Sequence, residues 1–194
     1  MLRDNPMVRR FCTVNLVFAL AVTQLESMFA FLMLDRFGYD AFHVAMILVL
    51  MAAVMVGIQG GGIHPLAKRF GEKNLLITGA VVMAIAFAAI PQFHRVDLLL
   101  IPLVLSAGGR AISQPSMLSM VSLAAPENNL GAVMGSFQSA AALARTVGPV
   151  IAGLLYGLDQ AWPFLLAAGL MGVVTWLGLD LPTMEEAAVG VAQE

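Results

Sequence analysis

The chain has 194 residues, of which 60% are hydrophobic and only 11% are charged. Soluble domains carry roughly a quarter charged residues, so this composition excludes an ordinary soluble fold and favours a membrane protein. The formal net charge of -2 gives no indication of a nucleic-acid partner. Cys12 is the sole cysteine and the 13 methionines lie at no ligand-like spacing, so we predict no intramolecular disulfide, no metal and no cofactor.

Six apolar stretches follow one another, each near the ~20 residues that cross a hydrocarbon core of about 30 Å. Short polar breaks separate them, so neighbouring helices are predicted to be antiparallel. The predicted class is therefore an all-α membrane protein with one transmembrane domain at residues 11–181, a cytoplasmic N-terminal segment at 1–10 and a disordered cytoplasmic tail at 182–194. The six predicted spans are residues 11–34, 42–62, 75–93, 98–124, 130–156 and 163–181.

Basic residues before the first span allow two interpretations. Arg3, Arg9 and Arg10, with the small residues Ala19 and Ala21 further on, fit a cleaved signal peptide. The apolar run continues well past that site, however, which favours a membrane span.

The loop cations predict the orientation of the chain, because lysine and arginine concentrate on the cytoplasmic side. With the N-terminus inside, Lys68, Arg69 and Lys73 join the basic N-terminal segment, whereas only Arg36 and Arg95 lie outside. We therefore predict a multi-pass protein of the inner (plasma) membrane with both termini cytoplasmic.

Three charges, Glu26, Arg110 and Arg145, lie inside apolar spans. An ionisable side chain in hydrocarbon costs at least ~2.5 to 3.5 kcal/mol on insertion scales, and the usual offset is a polar cavity shared between helices. Polar neighbours at helical spacing extend each charge into a stripe. These neighbours are Thr23 and Ser27 on the first span, Ser106, Ser113 and Gln114 on the fourth, and Gln138 on the fifth.

Two interpretations of these stripes remain open. In one, Glu26 forms an ion pair with Arg110 or Arg145 that only holds the bundle together. In the other, the stripes line a cavity for a solute, and the surplus of two arginines over one acid favours an anionic or polar solute group. Burial disfavours the charged form of Glu26 and a nearby arginine favours it, so Glu26 is the predicted proton-coupling residue. The predicted cavity wall comprises Arg110, Arg145, Thr23, Gln24, Ser113, Gln114 and Gln138.

Three segments resemble the major facilitator superfamily of transporters. The sequence GGGIHPLAKRFGEK, residues 60–73, resembles the loop between the second and third helices of each half of such a protein. The sequence GSFQSAAALARTVGPVIAG, residues 135–153, is similar to the fifth helix of the carboxy-terminal half in the tetracycline-exporter-like branch of drug and metabolite antiporters. Glu26, with an aromatic residue soon after it and the sequence DRFG at 35–38, is similar to that branch's seventh helix.

The resemblance implies six helices equivalent to the second half of a twelve-helix transporter, arranged as two inverted three-helix repeats around a midplane site. It also implies a cytoplasmic gating loop at Gly62, Lys68, Arg69, Gly71 and Lys73, although the three cations are in the first instance interpreted as topology determinants. Lys68 stands where the family usually has an acid, and Glu72 where it usually has a base. The chain departs there from the family's charge pattern.

Gly148, Pro149 and Gly153 have two open interpretations. Proline removes a helix hydrogen bond and small residues allow close helix packing, which predicts a kink and a packing role. The family's antiporters carry a similar glycine and proline pattern in the equivalent helix of the other half, which implies a functional role.

The leading hypothesis is half of a secondary active transporter that exports a small molecule by proton-coupled alternating access. Its predicted partners are the lipid bilayer, the solute, protons, and a second six-helix half or a second copy of the chain. The alternative is a non-transporting membrane scaffold or a fragment of a longer transporter. The sequence has no Gly-x-Ser-x-Gly, His-Glu-x-x-His or Walker motif, so we predict that it is not an enzyme and does not use ATP.

Overall fold

The computed structural model describes residues 6–125 and 129–181. In these ranges it contains helices and no strand. Six of the helices are long and apolar enough to cross a membrane, which confirms the predicted class. The α-helices are α1 (Pro6–Phe37), α2 (Ala41–Gly57), α3 (Ile63–Phe70), α4 (Glu72–Ala89), α5 (Val96–Leu123), α6 (Leu130–Leu158) and α7 (Trp162–Leu179).

The predicted span boundaries hold to within about one helical turn, except at the start of the chain. Helix α1 begins at Pro6 rather than at residue 11, and proline favours the first position of a helix because its missing N–H is not needed there. Part of the predicted N-terminal segment is therefore helical. The predicted tail, residues 182–194, lies outside the described residues.

The segment after the second span differs from the prediction of a helix that ends at its glycines. Helical backbone continues from α2 through a π-helical turn, Ile58–Gly62, into α3. Pro65 accounts for the wider turn, because it cannot donate to the carbonyl of Gly61 and its ring crowds that carbonyl. The chain reverses only at Gly71, whose φ of +77° is a conformation that favours glycine.

Helix pairing follows a crosswise pattern. Helix α4 packs on α5, and the equivalent pair is α7 on α1. Helix α6 packs on α1, and the equivalent pair is α2 on α5. Helices α4 and α7 also contact each other. Exchanging the triplet α1, α2, α4 for α5, α6, α7 maps these five helix pairings onto one another. Two interlocked three-helix repeats produce this arrangement, as predicted.

Glycines bring α4 and α5 into close contact. A Cβ on Gly79 would lie 2.6 Å from the carbonyl oxygen of Gly109, and a Cβ on Gly109 would lie 2.7 Å from the carbonyl oxygen of Gly79. Small residues allow such an approach, and in a membrane the packing itself drives helix association. This contact fixes the rotation of α5 and therefore the direction in which Arg110 points.

Cations join the helix ends on both sides of the bundle. At one end, Arg36 donates to the carbonyls of Pro91 and Phe93 at 3.1 and 3.2 Å. At the other end, Lys73 donates to the carbonyl of Leu179 at 2.8 Å, where the C-terminus of α7 favours a positive charge. Between the spans, Asp40 caps α2 by accepting from the His43 N–H at 3.0 Å, and this hydrogen bond lowers the pKa of Asp40.

Candidate functional site

A polar cavity of about 160 Å³ lies between α1, α5 and α6. Glu26, Arg110 and Arg145 line it, each within little more than one turn of the middle of its helix. Helix packing therefore brings together three charges that are far apart in sequence. Thr23, Gln114 and Gln138 also line the cavity, as the polar stripes predicted.

Glu26 pairs with Arg110, whose Nη1 donates to Oε1 of the carboxylate. The Nε of Arg110 also donates to Oε1 of Gln114 at 3.3 Å, one turn along α5. The side chains of Glu26 and Arg110 remain 46% and 29% exposed, so both are open to the cavity. Of the two arginine partners that the sequence left open for Glu26, the fold selects Arg110.

Arg145 lines the same cavity without an acidic partner among the described residues. Its Nε donates to the carbonyl of Ala141 at 3.3 Å, one turn back along α6. The rest of the guanidinium is left for another acceptor. With one carboxylate and two guanidiniums, the cavity carries the surplus positive charge that the sequence predicted.

Two predicted wall residues lie elsewhere. Gln24 is fully buried between α1 and α6, where its Nε2 donates to the carbonyls of Leu20 and Gly148 at 3.2 and 3.4 Å. Ser113 is fully buried between α4 and α5 and donates to the carbonyl of Leu76 at 3.2 Å. Successive side chains of a helix point in directions about 100° apart. A stripe inferred from spacing therefore includes residues that face an adjacent helix rather than the cavity.

Asn15 is a cavity residue that the sequence analysis missed. It is 6% exposed, lines the cavity and donates from Nδ2 to the carbonyl of Phe137 at 2.7 Å. The available signal was its position three helical turns before Glu26, which places both on one face of α1. A single uncharged amide in an apolar run did not stand out beside the charged residues.

The glycines of α6 do not share one role. A Cβ on Gly148 would lie 2.6 Å from Cγ2 of Thr23, whereas nothing lies within 4 Å of a Cβ on Gly153. Pro149 lies inside α6 and is exposed. Close packing therefore accounts for Gly148 and leaves the interpretation of Pro149 and Gly153 open.

The predicted gating loop lies away from the cavity, at the end of the bundle where α2, α3 and α4 meet. Gly62 closes the π-helical turn, Gly71 reverses the chain and Lys73 contacts the end of α7. Lys68 and Arg69 lie in the last turn of α3, and the guanidinium of Arg69 lies 5.4 Å from the ring centre of Phe70. These contacts order the loop, and a gating role stays a prediction.

The chain belongs to the major facilitator superfamily, because the family model described as Major Facilitator Superfamily matches residues 62–191. It is a multi-pass integral membrane protein of a family of transporters, not of enzymes.

Similar proteins lie in the predicted branch. Major facilitator superfamily domain-containing protein 10 of Homo sapiens is 28% identical over 90% of this chain and 36% of its own length. Tetracycline resistance protein, class C, of Escherichia coli is 24% identical over 79% of this chain and 38% of its own length. The crystal structure of the human organic anion transporter MFSD10 (TETRAN) matches with a TM-score of 0.81 and 27% identity, over 88% of this chain and 40% of that one. The chain thus spans about a third to two fifths of the length of these relatives.

Proposed function

We propose that the chain forms one half of a secondary active transporter that exports a small molecule by proton-coupled alternating access. The carrying observation is the polar cavity near the middle of the membrane spans, where Glu26 pairs with Arg110 and the guanidinium of Arg145 has no acidic partner among the described residues. Ionisable groups at this depth mark solute or proton pathways in membrane proteins. A scaffold requires no such cavity, so this observation favours transport.

Protonation of Glu26 is the proposed coupling step. The neutral acid no longer holds Arg110 as an ion pair, so the cavity changes from a net charge of +1 to +2. Arg110 donates to both Glu26 and Gln114, and protonation of Glu26 removes the charge from one of these two acceptors. A change of charge where α1 contacts α5 can favour one of two arrangements of these helices over the other.

The solute is proposed to bind through Arg145, Gln114, Gln138 and Thr23, which line the cavity. A guanidinium binds carboxylates and phosphates with paired hydrogen bonds. The similar solved structure is that of a human organic anion transporter, and this agrees with the positive surplus. Export is supported by relatives named as tetracycline resistance and multidrug resistance proteins, and exchange for protons rests on the position of Glu26 in the cavity.

The test is flux driven by a pH gradient in reconstituted vesicles, with the second half included if one co-purifies. Glu26→Gln keeps nearly the same shape but cannot cycle a proton, so we expect proton-driven accumulation to fall to the level of empty vesicles. Passive exchange of the solute is expected to survive. Asp97→Asn makes the same chemical change at an exposed residue outside the cavity and is the matched control. Unchanged gradient dependence in Glu26→Gln would remove Glu26 from the coupling mechanism.

A further inference from the structure

We propose that the transported solute is an amphipathic organic anion that binds across the Glu26–Arg110 pair. Its acidic group lies in the polar cavity against Arg145, and its ring or short chain lies in a second, apolar pocket beside α2. This inference rests on the proposed function, because it names the solute class of the same site.

The apolar pocket lies on the other side of the ion pair. It has a volume of about 160 Å³ and lies between α1, α2, α4 and α5. Its apolar lining comprises Leu25 and Phe29 of α1, Met51 and Met55 of α2, and Met83 and Phe87 of α4, among others. Ser106, Glu26 and Arg110 are its only polar lining residues among those described.

The size and composition of this pocket fit a single aromatic ring. An apolar cavity of about 150 Å³ lined by aliphatic and aromatic side chains stays dry and binds benzene. Met83 and Phe87 are at most 1% exposed, so a ring that contacts them is buried inside the protein. Three methionines in the lining provide flexible, polarisable surfaces that adapt to the shape of a ligand.

The two compartments adjoin each other at the ion pair. Val22, Glu26 and Arg110 line both the polar cavity and the apolar pocket. Since Glu26 already engages Arg110, Arg145 is the cation left for the solute's acid. One molecule with an anionic end and an apolar end therefore matches both compartments.

The test is equilibrium binding to the full chain in nanodiscs, measured by displacement of radiolabelled benzoate. Acetate, benzoate and benzamide form a matched set, because acetate lacks the ring and benzamide lacks the charge. We expect benzoate to bind about tenfold or more tightly than acetate, since each buried methylene-sized group contributes about fourfold in affinity. We expect a similar preference over benzamide, because only the carboxylate forms charge-assisted hydrogen bonds with Arg145.

Two alanines on α2 distinguish the pocket from the general membrane surface. Ala52 is exposed and lines the pocket, whereas the adjacent Ala53 is exposed and does not. Ala52→Leu is expected to abolish the preference for benzoate over acetate, and Ala53→Leu to preserve it. Met55→Ala enlarges the pocket and is expected to favour 2-naphthoate over benzoate. Arg145→Gln is expected to abolish the preference for benzoate over benzamide.

Equal behaviour of Ala52→Leu and Ala53→Leu in properly folded protein would overturn the inference, as would equal binding of acetate and benzoate. Equal binding of benzamide and benzoate would mean that the apolar pocket binds the ring without an anion site beside it, and would also overturn the inference. None of these results touches proton-driven flux, which tests the proposed function separately. Gradient dependence that stays unchanged in Glu26→Gln, with the binding ratios intact, would overturn the coupling mechanism and leave the solute site standing.

Discussion

Glu26 is the residue on which the chemistry of the cavity depends. It is the acid of the cavity, it lines both compartments, and its partner is Arg110 rather than Arg145. The choice of partner decides which guanidinium is left for a solute. Glu26 and Arg145 are therefore expected to have separate roles.

A double-mutant cycle measures this separation. Combining Glu26→Gln with Arg110→Gln is expected to show a coupling of about 0.2 to 1 kcal/mol in the free energy of unfolding, the range for partly exposed ion pairs. The combination of Glu26→Gln with Arg145→Gln is expected to be additive, because the two residues share no direct contact. The measurement is denaturant unfolding of the purified variants in detergent. Stronger coupling of Glu26 to Arg145 than to Arg110 would contradict the observed pairing.

At the scale of elements, the contact between α1 and α6 shapes the polar cavity. Gly148 lies against Thr23, and the neighbouring Gln24 donates to the carbonyl of Gly148. Asn15 joins the same two helices two to three turns away through the carbonyl of Phe137. Hydrogen bonds and close packing at this contact hold Gln138 and Arg145 on the cavity side.

Gly148→Ala is expected to destabilise the protein by about 1 to 3 kcal/mol, as overpacking of a tight interface does. The new Cβ would meet the side chain of Thr23 at 2.6 Å, so Thr23→Ala is expected to restore part of the loss. Gly153→Ala is the matched control on the same helix, because its Cβ meets nothing within 4 Å. The measurement is thermal unfolding of Gly148→Ala, Thr23→Ala, the double variant and Gly153→Ala. Equal effects of Gly148→Ala and Gly153→Ala would contradict the prediction.

The whole molecule presents an open face that a membrane does not cover well. Gln114, Gln138 and Arg145 are exposed on the cavity side, and polar groups that face lipid are costly. Helix α2 is also poorly covered, with 11% of its most apolar stretch buried. Association with a second six-helix unit would shield both features.

We therefore predict that the active unit contains twelve helices, the number in the family's full-length transporters. Native mass spectrometry and cross-linking in membranes are expected to show a dimer or a complex with another half. A stable six-helix monomer that transports would contradict this prediction.

The orientation of the bundle is a second prediction at this scale. Lys68 and Arg95 lie at opposite ends of the helices, and the positive-inside rule places Lys68 in the cytoplasm. After Cys12→Ala, Lys68→Cys and Arg95→Cys are expected to react with an impermeant thiol reagent from opposite faces. Reaction of both from the same face would contradict the six-span arrangement.

Local sequence properties were enough to predict the six membrane spans and the three charges inside them. The reason is that insertion depends on the summed apolarity of about 20 consecutive residues, which can be read without knowing any contact. The predicted second span reached Gly62, but the π-helical turn at Ile58–Gly62 and the helix that follows it, α3, were missed. Glycines close to a proline are typical of an ordinary turn as well as of a π-helical turn.

Which residues meet depends instead on how the helices pack. The rotation of each helix, set by contacts such as Gly79 with Gly109, directs Arg110 towards Glu26 and turns Ser113 towards α4. The apolar pocket has no sequence signature, because Met51, Met83 and their neighbours look like ordinary span residues until four helices enclose a space between them. Pairing and cavities depend on contacts between distant segments, and the sequence pattern of a single helix does not contain them.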